Sequence, residues 1–78
     1  MEKNTQDYAN LRRTQQAELA AGAQTDYMNY LASYAQVDMD ANAASRLKAD
    51  AWNYLVARYD LINGLYPELP PITPRQGP

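Results

Sequence analysis

The chain has 78 residues, of which 13 are Ala, 7 Tyr, 8 Leu, 2 Val and 2 Ile, with no Phe, Cys or His and a net charge of −2. One small domain is the most this length holds. The absence of Cys and His excludes a disulfide framework, the usual zinc site and thiolate or imidazole chemistry, and a mildly acidic balance without a basic patch argues against a general nucleic-acid binder.

Between Thr5 and Asn63 there is no Pro and a single Gly, Gly22, and most residues are helix formers. Strand signals are missing, because β-branched residues are few and no alternation of period two is sustained. The predicted class is all-α. A first helix can start at Asn4 or Thr5, either of which can accept an amide hydrogen bond as an N-cap, with Asp7 favoured by the dipole in the first turn. Its apolar face opens with Tyr8 and Leu11, thins from Arg12 to Glu18, and resumes at Leu19, Ala20 and Ala23. Tyr27, Tyr30, Leu31 and Tyr34 then recur at helical spacing as a one-sided stripe. Arg12 and Arg13, with Glu18, Asp7 and Glu2 nearby, read as a solvated helix face. Gly22 can end this helix, with Thr25 or Asp26 capping a third one. Alternatively, Ala20 to Ala23 form a smooth patch within one continuous helix, which is the preferred reading.

A break is expected near residues 37–41, where Asp38, Asp40 and Asn42 compete with the helix backbone for hydrogen bonds. Asp40 is the expected N-cap of a second helix, about Ala41 to Asn63. That helix carries two adjoining stripes, Ala44, Leu47, Ala51, Leu55 and Ile62 beside Trp52, Val56 and Tyr59. So wide an apolar face meets more than one neighbour. Arg46 and Asp50 are placed for an i,i+4 pair. Asn63-Gly64 reads as a C-cap with Gly64 in the left-handed conformation and Leu65 folding back on Tyr59. Residues 1–65 are thus expected to form a helical hairpin, and residues 66–78, which hold all five Pro, a stiff extended tail.

Three motifs need weighing. Asp38-Met39-Asp40-Ala41-Asn42 starts like a calcium loop, but Ala43 and Ala49 stand where that loop needs Gly and a bidentate Glu, so cap chemistry is expected there. Pro71-Ile72-Thr73-Pro74-Arg75 has the P-x-x-P form, and a packing strap is its expected role. The seven Tyr, with no Phe, suit positions that border water, since Tyr buries a large ring and keeps a polar tip. Over Ala51 to Leu61, with Ala57-Arg58-Tyr59-Asp60-Leu61, the second helix resembles the periplasmic coiled-coil helices of outer-membrane efflux proteins. That resemblance covers about eleven residues and implies a helix lying along another helix.

Leu, Ile, Val and Phe together supply 12 of 78 residues, below the level of a self-sufficient core. Small domains so built are stabilised by disulfides, a metal or association, and association is what this inventory leaves. The expected function is a non-catalytic structural or adaptor subunit that meets itself or a larger assembly, such as a virion or secretion apparatus. The alternative is a small regulatory binder that inhibits another protein. Contact is assigned to Leu19, Tyr27, Tyr30, Tyr34, Leu47, Ala51, Trp52, Leu55, Tyr59 and Ile62, and to Pro70, Pro71 and Pro74 of the tail. No catalytic, cofactor-binding or metal-ligating residue is assigned, and nucleic acid, a small-molecule substrate and membrane insertion are not expected. Met1-Glu2-Lys3-Asn4-Thr5-Gln6 holds no apolar stretch of the secretory kind, and no run of 18 apolar residues occurs.

Overall fold

The computed structural model describes residues 2–75, with side chains from residue 6 onward. It holds two helices, α1 (Glu2–Tyr34) and α2 (Ala41–Leu65), and no strand among the described residues. They pack side by side as an antiparallel hairpin. The side chains of Asn4 and Thr5, and residues 76–78, lie outside the described residues.

α1 runs unbroken through Gly22, so the described residues hold two helices rather than three. An added Cβ at Gly22 would meet nothing within 4 Å. The smooth patch is therefore split: Ala20 and Ala23 are buried against α2, while Ala21 and Gly22 face outward. α1 ends in a tight turn in which Ala35 donates to the Ala32 carbonyl and Val37 to that of Tyr34. Asp40 then caps α2 as its sequence suggests. Its backbone is extended, and its Oδ1 accepts from the Ala43 N–H at 2.7 Å, satisfying one of the orphan amides of the first turn.

The C-terminus of α2 departs from expectation. The helix passes through Gly64, which shows no left-handed φ, and continues to Leu65. Pro67 is the cause: the residue before a proline is pushed out of the helical region, and Tyr66 accordingly sits at φ −129° and ψ 60°. Leu65 does not fold back on Tyr59 but stays exposed. Tyr66 turns inward instead and is buried.

Facing residues fix the register of the hairpin. Arg12 lies opposite Leu65, Gln16 opposite Asn63, Ala20 opposite Tyr59 and Tyr27 opposite Trp52. The core is one narrow seam. Ala20, Ala23 and Tyr27 of α1 meet Ala51, Leu55, Tyr59 and Ile62 of α2, with Tyr66 closing one end. Leu55 is its most enclosed large side chain, 1% exposed. Gln16 is also buried in the seam, 6% exposed. It interrupts the apolar spacing of α1, and this is why that helix looks weakly amphipathic before Leu19. Among the described residues no buried side-chain nitrogen or oxygen lacks a hydrogen bond. The molecule is long, 59 by 18 by 16 Å, with a radius of gyration of 16.3 Å, against about 11.5 Å for a compact domain of this length.

Candidate functional site

Two flanks run along the seam between the helices, and they differ in what covers them. The first is covered by residues 66–75 of the same chain. After Leu65 the backbone turns, with the Leu69 N–H on the Tyr66 carbonyl at 3.1 Å, and runs back along the groove. Three carboxamides receive it. Asn63 and Ile72 bond each other twice, Nδ2 donating to the carbonyl at 2.9 Å and the Ile72 N–H donating to Oδ1 at 3.0 Å. Gln24 and Arg75 repeat the arrangement at 2.5 and 3.1 Å. Gln16 Nε2 points at the Pro70 carbonyl and at Asn63 Oδ1, 3.4 and 3.5 Å away. Leu69 and Ile72 pack against the core, and Pro70 and Pro71 stay exposed while Pro74 is half-buried. Prolines have no N–H, so 72, 73 and 75 are the amides that remain between 70 and 75. Two of these, three residues apart, are the ones the carboxamides bind. Three residues is also one turn of a polyproline helix.

Arg12 anchors the start of this segment. Its Nε donates to Glu68 Oε1 at 2.7 Å and its Nη2 to the Leu65 carbonyl at 2.8 Å. Its guanidinium lies 4.2 Å from the centre of the Tyr66 ring. A cation at the last carbonyls of a helix answers the negative end of the dipole, and the aromatic face below it adds a cation–π contact. The hydrogen bond from Arg12 is the chief cause that holds the Glu68 carboxyl below its ordinary value near 4.5. The same bond raises the guanidinium. The expectation of a solvated Arg12-Arg13 face therefore applies only to Arg13, which is exposed and reaches Asn10 at 3.4 Å. Arg12 and the three carboxamides escape a reading of the sequence by apolar periodicity, since their role depends on polar contacts to the C-terminal segment, more than 40 residues away for Arg12, Gln16 and Gln24 and nine for Asn63.

The second flank is open. Ala23, Tyr27, Ala51 and Leu55 form the floor of its groove, and Asp26, Tyr30, Asp50, Tyr54 and Arg58 form the walls. Arg58 Nη1 bridges the helices to Asp26 Oδ2 at 2.6 Å. The expected pair of Arg46 with Asp50 does not form, and Asp50 has no ion pair or side-chain hydrogen bond within the described residues. Tyr54, Leu61 and Leu65 stand out along this side of α2, 67%, 71% and 61% exposed.

The residues assigned to partner contact thus separate into two sets. Tyr27, Ala51, Leu55, Tyr59 and Ile62 are covered by the chain's own hairpin. Trp52 is half-buried, with its ring edge-to-face on Tyr27 at 6.0 Å and 69°. Leu47 is half-buried, whereas Leu19, Tyr30 and Tyr34 stay outside, with Tyr30 and Tyr34 ring to ring at 5.1 Å. Sequence periodicity missed Tyr54, Leu61 and Leu65, although Leu47, Tyr54 and Leu61 lie seven apart. No helix among the described residues is long and apolar enough to cross a membrane, and no cluster of three metal-ligating side chains is found among them. Compared with known proteins, the chain matches no family model, no curated protein and no solved structure.

Proposed function

We propose that the chain is a non-catalytic structural or adaptor subunit that docks through the open flank of its hairpin, to itself or to a larger assembly such as a virion or secretion apparatus. One observation carries this reading: after the hairpin has closed its core and taken up its C-terminal segment, Leu19, Tyr30, Tyr34, Tyr54, Leu61 and Leu65 remain outside. The chain exposes 6033 Å² for a mass of 8.8 kDa, whereas a compact monomer of that mass exposes about 4,800 Å². Large aromatic and aliphatic side chains grouped on one flank are the usual mark of a protein contact. Light scattering and circular dichroism on the isolated chain test it. Self-association is expected, and Tyr30→Ala with Tyr34→Ala should remove it while helicity persists.

A specific feature favours a second reading, a small regulatory binder that inhibits another protein. The hairpin has its own seam, a formed cap and no unsatisfied buried side chain among the described residues. A binder of that kind is a folded monomer or dimer with its own melting transition. A cooperatively folded monomer at micromolar concentration would favour it over the assembly subunit.

A further inference from the structure

We infer that the occupant of the open flank is a second copy of this chain, laid antiparallel across α2 with the two-fold axis beside Tyr54. This rests on the association reading above and names its partner. The support is the symmetry of the α2 pattern. Tyr54 is the exposed centre of the flank. Leu47 and Leu61 lie seven residues to either side, about 10 Å along the axis, on one line of the helix surface. Asp50 and Arg58 lie four residues to either side. An antiparallel copy turned about Tyr54 brings Leu47 level with the partner's Leu61, and Asp50 level with the partner's Arg58. A two-fold interface requires this kind of self-complementarity, in which each contact occurs twice.

The unused hydrogen-bonding capacity matches as well. Arg58 spends one nitrogen, Nη1, on Asp26, and a guanidinium carries five N–H donors. Asp50 has no such partner within the described residues. The donors left on one copy meet the carboxylate left on the other. A cationic end and an acidic end on one patch disfavour parallel stacking, which would set like charges together.

Charge exchange tests this. The wild-type chain should sediment at micromolar concentration with twice its 8.8 kDa mass. Asp50→Arg alone and Arg58→Asp alone should each sediment as monomers, because each sets like charges face to face. An equimolar mixture of the two variants should recover the dimer, since both pairs then have opposite signs. Tyr54→Glu, at a site 67% exposed, should give a monomer with wild-type circular dichroism, which guards against loss by unfolding of the Arg58 variant. A wild-type chain that is monomeric at these concentrations overturns the self-pairing, while docking on a different partner would still satisfy the broader reading. A dimer indifferent to Tyr54→Glu, or a mixture that fails to recover it, overturns the two-fold about Tyr54 and leaves association itself standing.

Discussion

Asn63 and Ile72 are bound to each other through both polar atoms of one carboxamide and both backbone polar atoms of one residue, at 2.9 and 3.0 Å. The pair ties the segment after α2 to the helix it has just left. Replacing Asn63 with Asp keeps an acceptor for the Ile72 N–H but sets a carboxylate oxygen against the Ile72 carbonyl. Asn63→Asp should therefore cost about 1–3 kcal/mol. Amide hydrogen exchange at Ile72 should accelerate with it. An unchanged exchange rate would show that the segment is held by Leu69 and Ile72 packing alone.

The Glu68 carboxylate gives the molecule an acid-sensitive contact. Its value is depressed in the folded chain, first by the hydrogen bond from Arg12. A depressed carboxyl contributes stability that is complete above its unfolded value and lost as pH falls through the folded one. The thermal midpoint should therefore decline on acidification from roughly pH 5 downward. Glu68→Gln should start lower and decline less. The two melting curves should converge in acid, where the wild-type carboxyl is itself protonated, and parallel curves across that range would remove Glu68 from the account.

Leu55 is the most enclosed large side chain of a seam with few aliphatic residues. Leu55→Ala should cost about 2–5 kcal/mol, close to the whole stability of a chain this small. Its circular dichroism melt should shift by tens of degrees or lose its transition, since about 1 kcal/mol moves the midpoint of such a domain by roughly 4–8 °C.

Tyr59 separates ring from hydroxyl. Its phenol lies 3.2 Å from the Ala20 carbonyl and 3.2 Å from Gln24 Oε1, and Gln24 in turn holds Arg75. Tyr59→Phe should cost about 0.5–1.5 kcal/mol and loosen the Arg75 contact. Tyr59→Ala should cost about 3–5 kcal/mol. Equal losses in urea titrations of the two variants would mean that the hydroxyl, not the ring, stabilises the seam.

At the other end of α2, Asp40→Ala removes the acceptor for the Ala43 N–H. It should cost about 1 kcal/mol, and Asp40→Asn should recover most of it.

The hairpin was legible wherever local chemistry decides it. Asp40 announces a cap because a carboxylate beside three free amides has one good use. Ala51, Leu55 and Ile62 announce a buried face by spacing. The Tyr set was legible in part. Tyr59 is buried with its hydroxyl engaged and Tyr66 is buried with its ring under Arg12, whereas Tyr8, Tyr30 and Tyr54 border water. Gly64 misled because its preference for the left-handed cap is weaker than the steric veto that Pro67 places on Tyr66. Gln16, Gln24 and Asn63 could not be recognised as receptors of the C-terminal segment by periodicity, which scores a polar residue at a core position as a defect. The spacing of the Pro-free amides at 72 and 75 was the signal available. Tyr54, Leu61 and Leu65 were missed because they lie outside both apolar stripes, on a flank where Asp50 and Arg58 interrupt the apolar spacing.

α1 carries a further consequence of the register. Arg12 is where its contacts to the end of α2 begin, and Tyr8 and Leu11 before it are more than half exposed. One helix in geometry is therefore two in lifetime. Backbone protons ahead of Arg12 should trade with solvent through fraying of a turn or two, whereas those from Gln16 to Tyr27 should wait for the two helices to part.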